Sequence, residues 1–456
     1  MTTCTPRAAW GNLLRRLHFY IGLFVGPFIF FAALTGTLYV ATPQLEEAIY
    51  RHALHADSAG ERQPLAEQIA AAEKIAGGEL RLHAVRPGLA GGDTTRVMFA
   101  DPALGPSEHR AIFIDPVSLE VRGDMTVYGT SGILPLRQKI DYLHTSLMLG
   151  DVGRLYSELA ASWMWVAALG GIALWFYTRP KRRIHNRFQN RRRLHVTLGW
   201  VLLGGMLLFS ATGLTWSQWA GGNVDRLRAQ MNWLTPQVNT TLSGQREIVD
   251  EHAEHRGHHG GMMMPEMAMD LTQFDGVLRA ARKAGIDANR LEIRPAKAAD
   301  RAWTVTEIDR RWPTQVDAVS FDPHSMQILD RTRFDDFPLM AKLTRWGVDF
   351  HMGILLGLAN QLLLIAFGTA LCVLIIWGYR MWWMRRPAMP GGSPVQTLCQ
   401  SWLGLSGWGK TITAVGSVLL GVALPVMGAS LAVFVLVDWL RWRAASAVSL
   451  AESTTK

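Results

Sequence analysis

Cysteine is nearly absent: three residues in 456, Cys4, Cys372 and Cys399. No C-x-x-C-H is present, which excludes covalent c-type haem attachment, and no two cysteines fall where an extracytoplasmic disulfide could form. There is no G-x-G-x-x-G fingerprint following a strand and no soluble flavin domain, so the chain carries no nucleotide-cofactor module of its own. No A-x-A cleavage site follows the first apolar run, which reads as an uncleaved anchor. Acidic residues are missing from the stretch between Thr178 and His195, although Arg179, Lys181, Arg182, Arg183, Arg187, Arg191, Arg192 and Arg193 crowd it.

What is present is apolar length. Hydrophobic residues make up 49%, with a mean hydropathy of +0.10, so polar domains dilute long apolar spans. Runs from about Leu17 to Ala41, Leu159 to Tyr177, Val196 to Trp216, Leu358 to Trp377 and Ile412 to Val437 each reach the ~20 residues a helix needs to cross hydrocarbon. Trp175, Trp216, Trp377, Trp382 and Trp383 suit an interfacial belt. The basic loop, with Arg7, Arg15, Arg16, Arg380, Arg385 and Arg386, marks one face as cytoplasmic by the positive-inside rule. The net charge of +9 is therefore a topology signal, and no nucleic-acid partner is expected. The fold class expected is a multi-span α-helical membrane protein: four core helices in two repeats, a C-terminal helix, and two small α+β extracytoplasmic domains.

The chain repeats itself. Arg15-Arg16-Leu17-His18, then Gly22 and Thr35-Gly36, returns as Arg192-Arg193-Leu194-His195, then Gly199 and Thr212-Gly213, with every spacing kept. Leu143-His144 with Leu147 and Gly150 matches Phe350-His351 with Ile354 and Gly357. Arg15-Arg16 is not read as a twin-arginine export signal, because its second copy is internal. Histidine beside a membrane span is costly and usually functional. Four of them in two matched pairs point to two metal centres, best explained as b-type haems held by neutral imidazole. Gly22 and Gly199 lie one turn beyond His18 and His195 on the same helix face, leaving room for a flat macrocycle. Because opposite membrane faces are ~30 Å apart, the pairing expected is His18 with His195 on the inner side and His144 with His351 on the outer side. Arg15, Arg16, Arg192 and Arg193 are candidates for the inner propionates and Arg154 for the outer ones, each competing with a plain snorkelling role. Thr35 and Thr212 read as helix-packing residues beside Gly36 and Gly213.

Between spans, 42–157 and 217–350 each contain a helix followed by three strands: Leu65–Ala76 with Arg81–Arg86, Thr95–Phe99 and Arg110–Val121, and Leu271–Ala284 with Arg290–Arg294, Ala302–Ile308 and Ala318–Leu329. Ile114-Asp115-Pro116 matches Phe321-Asp322-Pro323 at the offset of 207 that separates His144 from His351. Both aspartates read as turn formers. Units of ~60 residues are small enough to need a neighbour for stability.

The runs LRRLHFYIGLFVGPFIFFAALTGTLY, LHTSLMLGDVGR and FIDPVSLEVRG resemble the PepSY-associated transmembrane family, which includes siderophore-iron reductases of the FoxB and PiuB kind. The resemblance covers roughly residues 10 to 385 in both halves. It departs where Gly150-Asp-Val-Gly-Arg154 becomes Gly357-Leu-Ala-Asn-Gln361, and at an insertion over 217–270. It implies four core spans, two PepSY domains outside the membrane and, in the FoxB-like members, two haem b. The expected division is 1–41 (N-terminus and first helix), 42–157 (first PepSY-like domain with the His144 segment), 158–216 (two spans and the basic loop), 217–270 (insertion), 271–357 (second PepSY-like domain with the His351 segment), 358–384 (fourth span), 385–410 (inner loop) and 411–440 (fifth span). That last span is expected as one helix kinked at Pro425, with a re-entrant hairpin as the alternative, its halves judged too short to span separately.

The insertion carries His252, His255, His258 and His259, then Met262, Met263, Met264, Met267 and Met269, a ligand set that suits copper or reads as an incidental tether. The function expected is an inner-membrane dihaem oxidoreductase, an enzyme reducing ferric siderophore at the periplasmic face with electrons from quinol or a separate reductase. The alternatives are a cupric reductase or copper-handling protein, and a non-catalytic PepSY module that binds a partner protein.

Overall fold

In the computed structural model, residues 6–178, 187–243, 269–384 and 398–454 are described. Among the described residues, five helices are long and apolar enough to cross a bilayer: Ala8–Val40, Gly150–Tyr177, Phe188–Thr215, Leu358–Met384 and Pro425–Ala444. The first is built from α1 (Pro6–Tyr20), a π-helical turn at Ile21–Val25 and α2 (Gly26–Val40). Short helices α3 (Thr42–Ile49) and α4 (Arg51–Leu54) lead to α5 (Leu65–Ala76). After four strands come α6 (Pro135–Ser146), α7 (Gly150–Tyr177), α8 (Arg187–Thr215) and α9 (Ala220–Gln230). The second half continues with α10 (Gln273–Lys283), four strands, α11 (Leu339–His351) and α12 (Leu358–Met384). The chain closes with α13 (Leu398–Leu403), α14 (Gly407–Ala423) and α15 (Pro425–Thr454).

The chain divides into two compact units, one of Met1–Leu38, Tyr142–Gln230 and Leu362–Lys456, the other of Tyr39–Asp141 and Met231–Gln361.

The second unit corrects the sequence reading in two ways. Each half has four strands rather than three: β1 (Arg81–Arg86), β2 (Thr95–Ala100), β3 (Glu108–Ile114) and β4 (Val121–Tyr128), then β5 (Leu291–Arg294), β6 (Trp303–Glu307), β7 (Ala318–Phe321) and β8 (Ile328–Thr332). The runs expected as one long third strand each break at Asp115 and Asp322. Asp115 Oδ1 accepts the amides of Val117 and Ser118, and Asp322 Oδ1 those of His324 and Ser325, so both are turn formers as expected. The strands also join into one antiparallel sheet, ordered β4-β3-β2-β1-β5-β6-β7-β8, in place of two separate small sheets. The seam between β1 and β5 is registered at Val85 and Ile293 alone. Arg86 clamps it, its Nε and Nη2 both 2.7 Å from Glu292.

One core covers the helix-bearing face. Leu65, Ile69 and Ala72 of α5 and Phe274, Val277 and Ala281 of α10 recur at helical spacing and bury against Val85, Val97, Ile112, Ile293, Val305 and Val319. Asp275 of α10 accepts the first amides of α5, at Leu65 (2.9 Å) and Ala66 (3.2 Å), so the second half caps the helix of the first.

In the membrane unit, the expected single span over 411–440 is replaced by two helices that fold back on one another. Leu424 breaks the helix ahead of Pro425, and a Cβ on Gly428 would meet the Gly421 Cα at 2.7 Å, a contact impossible within one continuous helix. Of the two halves, α15 includes a 20-residue span, whereas the 17 residues of α14 extend about 25 Å and fall short of the ~30 Å hydrocarbon core, as expected of a short half. Asp438 of α15, fully buried, accepts from Tyr20 Oη and from the Cys399 amide at 2.9 Å, and Trp163 Nε1 donates to Ser430 Oγ at 2.8 Å. These contacts fasten α15 to α1, α7 and α13.

Candidate haem-binding histidines

His18 lies in the last turn of α1, and His195 lies in α8, eight residues after its start at Arg187. Their rings come together with centroids 6.5 Å apart and planes at 79°. A pair of imidazoles at this separation would suit a haem, which would supply one-electron chemistry there. Ordinary edge-to-face ring packing also falls in this range. The surroundings therefore carry the argument.

His195 Nδ1 lies 3.1 Å from the Leu374 carbonyl, which can only accept, so the proton sits on Nδ1 and the lone pair on Nε2. That is the usual way a protein orients a ligating imidazole. His18 Nδ1 is buried and lies toward the Ala167 carbonyl without closing a full hydrogen bond. Each ring rests on a glycine of a neighbouring helix. A Cβ on Gly171 would meet His18 Cε1 at 3.1 Å, and one on Gly378 would meet His195 Cε1 at 3.6 Å. Sequence reasoning passed over both glycines. The signal was present, since Gly378 follows Gly171 by 207 positions, the spacing of His351 from His144.

Gly22 and Gly199, expected to leave space, do so: a Cβ at either would meet nothing within 4 Å. The π-helical turn at Ile21–Val25 was not foreseen. Such turns concentrate at functional sites.

His144 lies near the end of α6, against the far end of the first span. Gly36 is its platform, where a Cβ would meet His144 Cε1 at 3.2 Å. Thr35 Oγ1 donates to the Phe31 carbonyl at 2.7 Å and so accepts from His144 Nδ1 at 3.0 Å. Thr35 was read as a packing residue; it also orients this imidazole. From His18 to Gly36 the helix rises about 25 Å, so His144 cannot reach an iron held by His18. Tyr156 Oη donates to the His144 carbonyl, and Ser157 Oγ to that of Thr145 at 2.7 Å, satisfying the end of α6.

His351 is the last residue of α11 in the other compact unit. Next to it in sequence, the fully buried Asp349 pairs with Arg310 (2.5 Å) and Arg345 (3.2 Å), and Asn360 Nδ2 donates to the Phe350 carbonyl at 3.1 Å. The motif glycines Gly150 and Gly357 adopt φ of +60° and +58°, a left-handed step into the following span that favours glycine.

Arg154 Nη2 donates to the Trp216 carbonyl at 3.1 Å, Arg192 Nη2 to Thr178 Oγ1 and carbonyl at 2.6 and 2.9 Å, and Arg16 lies over the Phe19 and Tyr20 rings. Arg15 and Arg193 are exposed. His252, His255, His258, His259, Met262, Met263, Met264 and Met267 lie outside the described residues, as does most of the basic loop.

A further histidine pair, absent from the sequence reading, sits in the sheet. The His83 and His109 rings stack at 3.8 Å, and burial, with His109, Arg294 and Lys297 nearby, pushes His83 down to about 2. Among the described residues, no three or more His, Cys, Asp or Glu side chains gather to hold a bare metal ion.

A search among curated proteins finds no match to the chain. The sequence profile of the PepSY-associated TM region matches residues 15–385, from the first histidine motif through the fourth span. The chain belongs to the PepSY-associated transmembrane family.

Proposed function

We propose that the chain is a dihaem b-type oxidoreductase of the bacterial inner membrane, built from two copies of one unit. In this reading it carries electrons from the cytoplasmic side to a ferric siderophore outside. The observation that supports it is the His18–His195 pair, 6.5 Å apart, each ring on a glycine and with His195 anchored by Leu374. A pair of imidazoles suffices for haem, because the macrocycle supplies the other four ligands, whereas a bare ion takes three or more from the protein. In the same reading His144 and His351 serve the second haem, and the sheet domain faces the periplasm.

Bound haem b would supply one-electron transfer at either end of the spans. The side chains do the rest. The Leu374 carbonyl and the Thr35 hydroxyl hold their imidazoles in the tautomer with the lone pair on Nε2, and Gly22 and Gly199 keep the helix surface open. The substrate chemistry is consistent. A ferric siderophore grips Fe(III) through hard oxygens, and gaining one electron gives Fe(II), a less charged ion that those oxygens hold weakly. The electron comes from quinol or a separate reductase.

A visible spectrum and pyridine haemochrome assay of the detergent-purified protein test the reading, with two haem b per chain expected. One haem, or a c-type spectrum, contradicts it, and the absence of a Soret band favours the partner-binding module. Dithionite-reduced protein should be reoxidised by a ferric siderophore. Prompt reoxidation by Cu(II) with indifference to several ferric siderophores would favour a cupric reductase, with the His252–Met269 insertion as its capture site.

A further inference from the structure

The sheet-bearing unit contains the ends of two spans. Its first segment begins at Tyr39, in the last turn of the first span, and its second closes at Gln361, one turn into the fourth. Within the unit those ends meet. A Cβ on Gly353 would touch Val40 Cγ1 at 3.1 Å and Gln361 Cγ at 3.6 Å, and Gln44 Nε2 donates to Gln361 Oε1 at 2.6 Å.

Around that point the surface turns apolar. On α3, Leu45 and Ile49 are exposed four residues apart on one face, while Thr42 and Glu46 are buried on the other. On α11, Leu339 and Leu343, 67% and 47% exposed, share a face opposite the buried Ala341 and Val348. Trp346, three residues on from Leu343, continues that face, and the ring of Trp312 stands 5.5 Å from it. Trp312 is 61% exposed, and its amide donates to the Leu355 carbonyl at 2.8 Å, three residues ahead of the fourth span. Leu356, beside it, is exposed as well. Away from the span ends the exposed apolar side chains are scattered, as at Ile75 on α5, which is ordinary for a surface in water.

We propose that α3, the start of α11 and the Trp312 loop form a lipid-contact surface of the sheet unit. Short helices with an outward apolar face lie in the membrane interface, buried about 5–10 Å into the boundary between headgroups and acyl chains. Tryptophan is enriched at the same level, where its ring is apolar and its N–H reaches polar groups. Lipid is the occupant by continuity. Trp312 and Leu356 adjoin the first turn of a span whose sides face lipid, with no polar collar between them and Leu358. The surface goes beyond the dihaem reading and does not depend on it.

The test uses the full-length protein in phospholipid nanodiscs, with Cys4, Cys372 and Cys399 replaced by serine. One nitroxide at a time is attached at Trp312→Cys, Leu343→Cys or Ile49→Cys, with Ile75→Cys as the reference in water. Power-saturation EPR compares collisions with oxygen, which concentrates in lipid, and with a nickel chelate, which stays in water. The ratio should favour oxygen at positions 312, 343 and 49 and reverse at 75. Ratios at 312 and 343 equal to that at 75 would overturn the proposal. Labels there shielded from both reagents would overturn it too, because protein, such as a second copy of the chain, would then cover the face. Should Trp312→Cys misfold by removing the neighbour of Trp346, positions 343 and 49 decide the matter, since their side chains already point outward.

Discussion

The two halves of the eight-stranded sheet agree almost turn for turn, whereas the two histidine-bearing spans do not. In the sheet, Asp115 and Asp322 make the same turn, α5 and α10 bury the same face, and β1 and β5 complete each other's edges. In the membrane unit, the first span carries a π-helical turn after His18, while α8 runs unbroken from Arg187 to Thr215 past His195. The turn's buried residues, Ile21 and Val25, share a cluster with Met427 and Phe434 of α15, and neighbouring Tyr20 bonds Asp438. A half-sheet whose open edge is covered by its own counterpart must keep the same shape. A span whose neighbours differ is free to diverge. The matched feature in the membrane unit is the pairing of each histidine with a glycine, Gly171 under His18 and Gly378 under His195.

The comparison breaks first at the histidines. If His18 and His195 are equal halves of one site, alanine at either should remove one of two haems and leave about half the haem content, with identical residual spectra; His144→Ala should leave the complementary half. Loss of both haems in a stably folded, inserted His144→Ala protein would show that the ends are not independent.

The seam of the sheet gives the next largest effect. Burial alone would raise Glu292, but Arg86 and Arg294 hold it down to about 2. Its contribution is therefore present above the ordinary glutamate value of about 4.3 and lost as pH falls toward 2. Glu292→Gln should destabilise the sheet domain by about 3 kcal/mol near neutral pH, because it strands two arginines, one of them well buried. Asp124→Asn, in the more exposed Arg110 pair, should cost less than about 1 kcal/mol. Thermal melts from pH 7 to pH 3 compare the two. Equal melting would show that the shared core alone holds the halves together.

Thr35→Val sharpens the contrast between threonine as packing residue and as orienting residue. It keeps the volume and removes the acceptor for His144 Nδ1, so one haem should be retained about tenfold less well while His18 and His195 keep theirs. Unchanged retention at both sites returns Thr35 to packing alone.

The smallest effect separates the glycines. Gly22→Ala and Gly199→Ala meet nothing in the protein and should leave stability within about 1 kcal/mol, or raise it slightly. A macrocycle against that surface should nonetheless be displaced, seen as a shifted Soret band or weaker retention. Gly171→Ala should disturb the His18 ring directly.

The sequence by itself determined the first four spans, because apolar length is a local property, and it marked the four histidines, because a repeated motif can be seen without knowing where it folds. It also foretold the turns at Asp115 and Asp322 and the open faces of Gly22 and Gly199, each decided by residues within a few positions. It missed the glycines under the rings, the bond from Thr35 to His144 and the bond from Arg154 to the Trp216 carbonyl. Each of these joins residues far apart in the chain, and only packing decides them. The eight-stranded sheet and the folded-back α14 and α15 were settled in the same way: an open strand edge and an apolar run state that they need a partner, and tertiary structure alone chooses which one.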